Sequence, residues 1–304
     1  MVTATVLAAL PSCRGTGPAA SPPGNGADAQ DRPLVITTFT VLADMARNVA
    51  GDHLRVESIT KQGTEIHGYE PTPGDLRRVE GADLLLENGL NLERWSDRFL
   101  AGMPELKRAT LTAGITPLPI AEDAYQGKPN PHAWMSPRLA EIYVENISQA
   151  FSQLDPANAE DYRRRAEAYR GQLRALDQEL RRELATIPPP RRVLASCEGA
   201  FTYLAKDYGL DEAYLWPVNS ESQVTPQRMA RLIATVRQRQ VPAVFCESTV
   251  SDKVQRQVAE QTGARFGGVF YVDSLSSPQG EAPTLLQLQR HNVRTLIQGL
   301  KGGS

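Results

Sequence analysis

Two of the four histidines of this 304-residue chain lie in short, proline-rich loops. His67 stands in E-I-H-G-Y-E-P-T-P, after a predicted strand, and His132 stands in P-N-P-H-A-W-M-S-P. Loops at strand ends are where α/β proteins place binding groups, and the flanking prolines restrict how each imidazole approaches. Both residues are therefore candidate metal ligands. His53, in a turn, and His291, in the last predicted helix, are expected to be surface or packing residues.

Two carboxylates in the second half of the chain complement these imidazoles. Glu198 and Asp273 each follow a predicted strand. Because parallel strands end at one edge of a sheet, we expect both carboxylates to face a cleft beside the two histidines. Two neutral imidazoles and two carboxylates carry a charge of −2, which offsets a divalent cation. Without a cation, two buried carboxylates repel each other and one takes up a proton.

The elements that position these residues are strands alternating with helices, which predicts parallel sheets with helices on both faces. Strands are predicted at 34–38, 54–60, 82–86, 193–197, 213–216, 241–245 and 266–271. Helices are predicted at 41–49, 74–81, 92–103, 200–208, from 226 onward, at 251–261 and at 284–300.

A long helix is predicted between the two halves, over 155–187, because apolar residues recur every three or four positions. At about 1.5 Å per residue it is roughly 45 Å long, which favours a connector over an edge helix of a single domain. The fold is therefore predicted as α/β with two lobes, 34–154 and 188–304. Each lobe would have a mostly parallel sheet flanked by helices, and one long rigid interlobe helix would join them.

The first 33 residues have a different character. Cys13 follows a short apolar run in L-P-S-C, which resembles a lipoprotein signal box, although no basic residue precedes that run. A start site placed too late would explain the missing basic segment. The stretch 14–33, rich in Gly, Pro, Ala and Ser, suits a flexible tether. We therefore expect a lipidated Cys13, the alternative being a disordered tail with a chance cysteine.

The overall composition excludes several classes of partner. The formal net charge of −2 provides no general attraction to nucleic acid or to anionic lipid. No run of about 18 apolar residues is present, so no membrane-spanning helix is expected. A hydrophobic content of 41% with 22% charged residues is typical of a globular protein.

The ordered motifs of the chain resemble those of the metal-binding solute receptors of ABC importers for manganese, zinc and iron. They include H-G-Y-E-P-T-P, A-D-L-L-L-E-N-G-L-N-L-E-R-W, N-P-H-A-W-M-S-P, E-G-A-F-T-Y-L-A-K-D-Y-G-L and Y-V-D-S-L-S. The resemblance spans about 34–300. It implies a non-enzymatic, monomeric receptor outside the cytoplasm that delivers a divalent ion to a membrane permease. The implied ligands are His67, His132, Glu198 and Asp273.

The third ligand position bears on the choice of metal. Zinc receptors of the family typically have histidine where this chain has Glu198, and many carry a long histidine-rich loop before N-P-H. Here the loop 121–129 contains no histidine. Carboxylate oxygens favour harder ions, whereas additional imidazoles suit zinc. The resemblance therefore favours Mn²⁺, with Fe²⁺ and Zn²⁺ as the alternatives.

Cys197 and Cys246 each end a predicted strand of the second lobe. Both cysteines are expected at the carboxyl ends of strands in one sheet, which predicts a Cα separation of about 5.5 Å, and disulfides persist outside the cytoplasm. The manganese receptors of cyanobacteria are similar in having such a pair. We predict a disulfide, the alternative being two buried free thiols. Because Cys197 adjoins Glu198, metal affinity is hypothesised to depend on its redox state. Glu247 is a candidate acid supporting the site.

Two other functions fit part of this pattern. Two histidines and a carboxylate also describe non-haem iron oxygenases, and a metal with an open position activates water. Four protein ligands tend to leave no open coordination position on the metal, which argues against catalysis. An adhesin or interaction module is the third hypothesis, and a tethered surface protein that binds no metal would support it.

Overall fold

The computed structural model describes residues 1–2, 31–121, 125–218 and 224–301. Contacts between Cα atoms divide the chain into two units, Met1–Arg32 and Pro33–Ser304. The helices and strands of the described residues all lie in the second unit. The predicted lipidation site, Cys13, lies outside the described residues. None of the helices in the described ranges is long and apolar enough to cross a membrane.

The first half is built on a four-stranded parallel sheet with strand order β2-β1-β3-β4. Its strands are β1 Leu34–Thr37, β2 Arg55–Ser58, β3 Leu84–Glu87 and β4 Arg108–Thr110. Its connecting helices are α1 Thr40–Ala50, α2 Pro73–Val79 and α3 Arg94–Phe99. The central strand β1 is buried along its whole length, as expected for L-V-I-T covered by helices on both faces.

Two elements of this half were not predicted. β4 is a three-residue edge strand whose side chains are exposed or half-buried, so it carries no hydrophobic alternation. The other element is α4, Pro137–Leu154. The Ser136 hydroxyl caps this helix by accepting from the Leu139 N–H, and Pro137 occupies the first turn. The loop that carries His132 therefore runs directly into a long, rigid helix.

The predicted long helix is present as α5, Ala159–Ala185, preceded by a 3₁₀ turn at Pro156–Asn158. Its 27 residues span about 40 Å. The predicted apolar stripe faces inward, and all seven of its residues are buried: Tyr162, Ala166, Tyr169, Leu173, Leu176, Leu180 and Leu184. The helix packs against α1 and α4 of the first half and α9 of the second. It thereby provides one continuous core to both halves.

The second half contains parallel strands in two pairs, β5–β6 and β7–β8. The strands are β5 Val193–Glu198, β6 Asp211–Trp216, β7 Ala243–Glu247 and β8 Arg265–Phe270. The helices are α6 Thr202–Tyr208, α7 Pro226–Gln238, α8 Lys253–Thr262 and α9 Leu285–Lys301. The predicted α/β class, with parallel sheets flanked by helices and one long helix, is confirmed. The lobe boundaries at 154 and 188 stay a prediction.

A disulfide between Cys197 and Cys246 joins the two strand pairs, as predicted. The cysteine Cα atoms are 4.8 Å apart, which is the spacing of neighbouring strands. The expectation that both cysteines belong to one hydrogen-bonded sheet was wrong in detail, because β5 and β7 belong to different strand pairs. A covalent bond therefore holds together the strands that end at Glu198 and Glu247.

Candidate metal centre

The structure brings the four predicted ligand residues together. The Nε2 atoms of His67 and His132 are 3.1 Å apart. Glu198 Oε1 lies 3.2 Å from the first of these nitrogens and 3.6 Å from the second, and Asp273 Oδ1 lies 3.9 and 4.0 Å from them. The ligand atoms of His67, His132 and Asp273 all lie within 4.8 Å of one another, which leaves room for an ion about 2 Å from each of them, the usual metal–ligand distance. All four residues are buried.

Each of these side chains comes from the end of a structural element. His67 lies in the loop between β2 and α2, and His132 directly precedes a 3₁₀ turn at Ala133–Met135. Glu198 is the last residue of β5, and Asp273 follows the end of β8. The two carboxylates thus project from the carboxyl ends of parallel strands, the usual place for ligand groups in α/β folds.

Asn130 fixes the orientation and the tautomer of His132. Its Oδ1 accepts from the His132 backbone N–H at 3.0 Å and lies 2.9 Å from the Nδ1 of the same residue. Because this oxygen can only accept, Nδ1 must carry the proton, which leaves a lone pair on Nε2 directed at the cluster. The Asn130 amide group donates in turn to the Gly199 carbonyl at 2.7 Å, directly after Glu198.

The same loop also contacts the segment of the fourth ligand. The Trp134 indole N–H donates to the Val272 carbonyl at 3.2 Å, next to Asp273. Two further bonds flank this carboxylate: the Gly63 N–H donates to Ser274, and the Leu275 N–H donates to the Thr40 hydroxyl. Hydrogen bonds therefore hold the segment around Asp273 against the first half of the chain, although this segment follows the last strand of the second half.

Replacing Trp134 by Phe removes this N–H donor and keeps a buried aromatic ring. We expect the free energy of unfolding to fall by about 1–2 kcal/mol, because the Val272 carbonyl loses a partner. Metal affinity should fall by about three- to tenfold, because supporting hydrogen bonds orient ligands. Denaturant unfolding and metal titration would measure these effects. Trp216→Phe is the matched control, because the buried Trp216 indole nitrogen has no hydrogen-bond partner in the part of the chain that the structure describes. Equal losses in both variants would contradict the prediction.

His67 is held mainly through its backbone. The Glu65 carboxylate accepts from the His67 and Gly68 N–H groups at 2.7 and 2.9 Å. The Trp95 indole donates to the Ile66 carbonyl at 2.9 Å. The His67 Nδ1 atom, by contrast, has no hydrogen-bond partner among the described residues. The loop around this histidine is therefore well ordered by contacts that leave its ring without a fixed tautomer.

The electrostatics of the cluster favour a cation. Burial lowers the pKa of His67 to about 3. Burial and the neighbouring His67 hold the pKa of His132 well below its usual range, so both imidazoles are neutral. Burial, together with the Glu198 and Glu65 carboxylates, raises the pKa of Asp273 well above its usual range. Within the described ranges the Asp273 Oδ1 atom has no hydrogen-bond partner, and a divalent ion would bind it while relieving the repulsion between carboxylates.

Glu247 lies behind this cluster, as the sequence suggested. Its Oε2 accepts from the Glu198 backbone N–H at 3.2 Å, while its Oε1 has no hydrogen-bond partner among the residues that the structure describes. Burial is the main reason that the pKa of Glu247 is raised well above its usual range, and the Asp273 carboxylate raises it further. Glu247 therefore contacts the backbone of a candidate ligand. Its supporting role stays a prediction.

The remaining histidines have other partners. His53 Nε2 lies 2.7 Å from the Asp161 carboxylate, and His291 Nε2 lies 3.0 Å from the Val269 carbonyl. The residues that sequence reasoning missed are Asn130, Trp134 and Glu65. Asn130 and Trp134 stand inside the quoted motif N-P-H-A-W, so the motif contained them. Their partners are distant in the chain, which is why no spacing pattern revealed their roles.

Comparison with known proteins adds an independent finding. Residues 35–299 match the family model described as zinc-uptake complex component A, periplasmic (ZnuA). The chain is 51% identical over 275 residues to the iron-binding protein YfeA of Yersinia pestis, covering 90% of this chain and 88% of the relative. It is 30% identical over 277 residues to the manganese ABC transporter substrate-binding lipoprotein PsaA of Streptococcus pneumoniae, covering 89% of each.

A solved structure of a metal-binding protein also matches this chain. The manganese-bound periplasmic metal binding protein from Candidatus Liberibacter asiaticus superposes with a TM-score of 0.82 at 37% sequence identity. The match covers 88% of this chain and all of that protein. The similarity therefore extends over the whole fold, including the segments that contribute the four clustered side chains.

Proposed function

Since the chain belongs to the ZnuA family of periplasmic metal-binding receptors of ABC importers, we propose that its physiological cargo is Mn²⁺. The family consists of solute-binding proteins, so the chain is a non-enzymatic receptor for a divalent metal. The observation that carries the choice of manganese is the ligand set. Two carboxylate side chains each have an oxygen within 4.0 Å of both neutral imidazoles, and no third imidazole takes part. Carboxylate oxygens suit harder ions such as Mn²⁺.

Fe²⁺ is the second candidate, favoured by the 51% identity to a relative named as iron-binding. Mn²⁺ and Fe²⁺ are neighbours in the affinity order of divalent metals, and both accept mixed nitrogen and oxygen ligands. Zn²⁺ is third, because Glu198 stands where the zinc receptors resembled by this chain have histidine. Tight zinc binding in vitro would not identify the cargo, since zinc generally outcompetes manganese for the same ligands.

In the expected mechanism, the four side chains form the binding site before the metal arrives. His67, His132, Glu198 and Asp273 are the proposed ligands. A metal ion entering the cluster binds the neutral imidazoles and the two carboxyl groups, and it relieves the repulsion that raises the pKa of Asp273. Because α5 packs on both halves, we expect only small rearrangements on binding rather than a wide hinge motion. Release requires the membrane permease, the proposed direct partner, to pull at least one ligand away.

The proposed anchor is a lipid on Cys13. It is supported by the L-P-S-C sequence and by relatives whose names include lipoprotein, such as PsaA of Streptococcus pneumoniae. A monomeric receptor tethered in this way would remain close to its permease. Mass spectrometry of the membrane-bound protein tests this, and a water-soluble protein without acyl mass would overturn it.

Metal analysis of the protein isolated from its native envelope tests the proposed cargo. We expect manganese to be the main bound metal. A competition titration of the metal-free protein with Mn²⁺, Fe²⁺ and Zn²⁺, performed without oxygen, then gives the intrinsic order of affinities. Iron as the main native metal would replace the first candidate by the second. Zinc as the main native metal, combined with loss of zinc uptake on deletion, would overturn both.

A further inference from the structure

A chain of hydrogen bonds leads from His132 away from the metal cluster to a remote carboxylate. His132 Nδ1 lies 2.9 Å from Asn130 Oδ1, and Asn130 Nδ2 donates to the Thr202 hydroxyl at 3.1 Å. That hydroxyl donates to Glu212 Oε2 at 2.7 Å. The chain therefore connects His132 to Glu212 through two uncharged residues, and it crosses from the first half to the second.

The far end of this chain reinforces the direction of every bond in it. A carboxylate only accepts, so Thr202 must donate to Glu212 and can only accept from Asn130. Asn130 then turns its amide nitrogen toward Thr202 and its oxygen toward His132. The Gly199 carbonyl, which accepts from the same amide nitrogen, and the His132 backbone N–H favour the same orientation. That oxygen obliges His132 to carry its proton on Nδ1, and Nε2 keeps the lone pair needed to bind a metal.

The surroundings of Glu212 support this role. Its other oxygen, Oε1, accepts from the Phe201 N–H at 2.8 Å. The side chain lines a cavity of about 200 Å³ together with Asn130, Thr202, Tyr214 and Arg231. Burial raises the pKa of Glu212 to about 7, so the purely accepting carboxylate predominates in mildly alkaline solution. Among the described residues that line this cavity, Tyr214 and Arg231 are the other titratable groups.

We propose that Glu212 and Thr202 are remote positioning residues for the metal, holding His132 in its metal-binding tautomer through Asn130. The inference rests on the proposed function, because it assigns these residues to the same metal centre. Neither residue touches the metal cluster, so their effect on metal binding would be entirely indirect.

The test uses Thr202→Val, which removes the hydroxyl at nearly constant volume, and Glu212→Gln, which places an N–H donor against Thr202. Mn²⁺ affinity of the metal-free protein is measured at pH 8, where Glu212 is ionised. We expect each variant to bind Mn²⁺ about three- to tenfold more weakly than the wild type. The double variant should be no weaker than either single one, because both changes break the same chain. Thr202→Ser, which keeps the hydroxyl, should bind like the wild type.

A second readout separates positioning from general loss of structure. In the metal-free wild type, the ¹⁵N shifts of the His132 ring should be those of one tautomer, with protonated Nδ1 and bare Nε2. In Thr202→Val and Glu212→Gln the two shifts should move toward each other as the tautomers mix. Glu93→Gln is the matched control. Glu93 is also a buried carboxyl whose pKa is raised to about 7 and which accepts from a threonine hydroxyl, but it lies outside this chain.

Unchanged Mn²⁺ affinity with an unchanged His132 ring spectrum in Thr202→Val would overturn the inference, as would fully additive losses in the double variant. Failure of the proposed function looks different: the wild type itself would bind neither Mn²⁺ nor Fe²⁺. In that case the ring spectrum of the metal-free protein would still report whether Thr202 and Glu212 fix the tautomer.

Discussion

Glu198→His will shift the metal preference of the centre strongly toward zinc. Mn²⁺ affinity should fall by about 100-fold, which corresponds to about 2.7 kcal/mol, while Zn²⁺ affinity stays within about threefold of the wild type. The reason is the change of donor: a carboxylate oxygen with a negative charge gives way to a neutral imidazole. The cluster then holds three histidines and one carboxylate, so its charge no longer balances a hard divalent ion.

The measurement is a competition titration of the metal-free protein with Mn²⁺ and Zn²⁺, using a chelator of known affinity for each. Glu198→Gln is the matched control, because it removes the charge at constant size without providing an imidazole. We expect that control to lose affinity for both metals. If Glu198→His kept the wild-type ratio of the two affinities, this side chain would not determine which metal binds.

Removing the disulfide will produce the largest change in stability. The bond closes a loop with a sequence separation of 49 residues. In the chain-entropy description, a loop of that length contributes about 4 kcal/mol to the free energy of unfolding. We therefore expect the double variant Cys197→Ala and Cys246→Ala to unfold at markedly lower denaturant concentration. Chemical denaturation of the metal-free wild type and variant under oxidising conditions measures the difference.

The same variant is expected to bind Mn²⁺ about three- to tenfold more weakly at temperatures where it remains folded. The disulfide aligns β5 with β7, and that alignment places the Glu247 carboxylate against the Glu198 N–H. Adding a reductant should weaken binding by the wild-type protein and leave the variant unaffected, with circular dichroism monitoring the fold throughout. Unchanged Mn²⁺ affinity after reduction would mean that the bond stabilises the fold without influencing the metal.

The sequence was sufficient to predict the features that depend on local pattern. The seven-residue stripe of α5 follows from spacing alone, and the positions of Glu198 and Asp273 follow from the ends of parallel strands. The disulfide needed more than pattern, because it rested partly on the expected compartment and on the resemblance. Each of these features depends on a few neighbouring residues or on the fold class.

The features that could not be predicted depend on pairs that are distant in the chain. Trp134 and Val272 are 138 residues apart, and Asn130 and Gly199 are 69 apart. No periodicity links such partners, since their meeting depends on how complete elements pack. The division of the second half into two strand pairs could not be predicted either. The apolar pattern of β5 and β7 is the same whether a disulfide joins the two strands or they belong to one continuous sheet.

The contacts around Asp273 have a consequence for building hybrid receptors. The Val272, Ser274 and Leu275 positions all bond to residues of the first half, namely Trp134, Gly63 and Thr40. In a chimaera, everything after residue 188 would come from a relative. The foreign carboxylate loop would then lie against first-half residues that do not match it. The unit that keeps the contacts of the Asp273 loop intact is the first half together with the segment from Val272 to α9, and a hybrid with unchanged metal specificity must also keep Glu198.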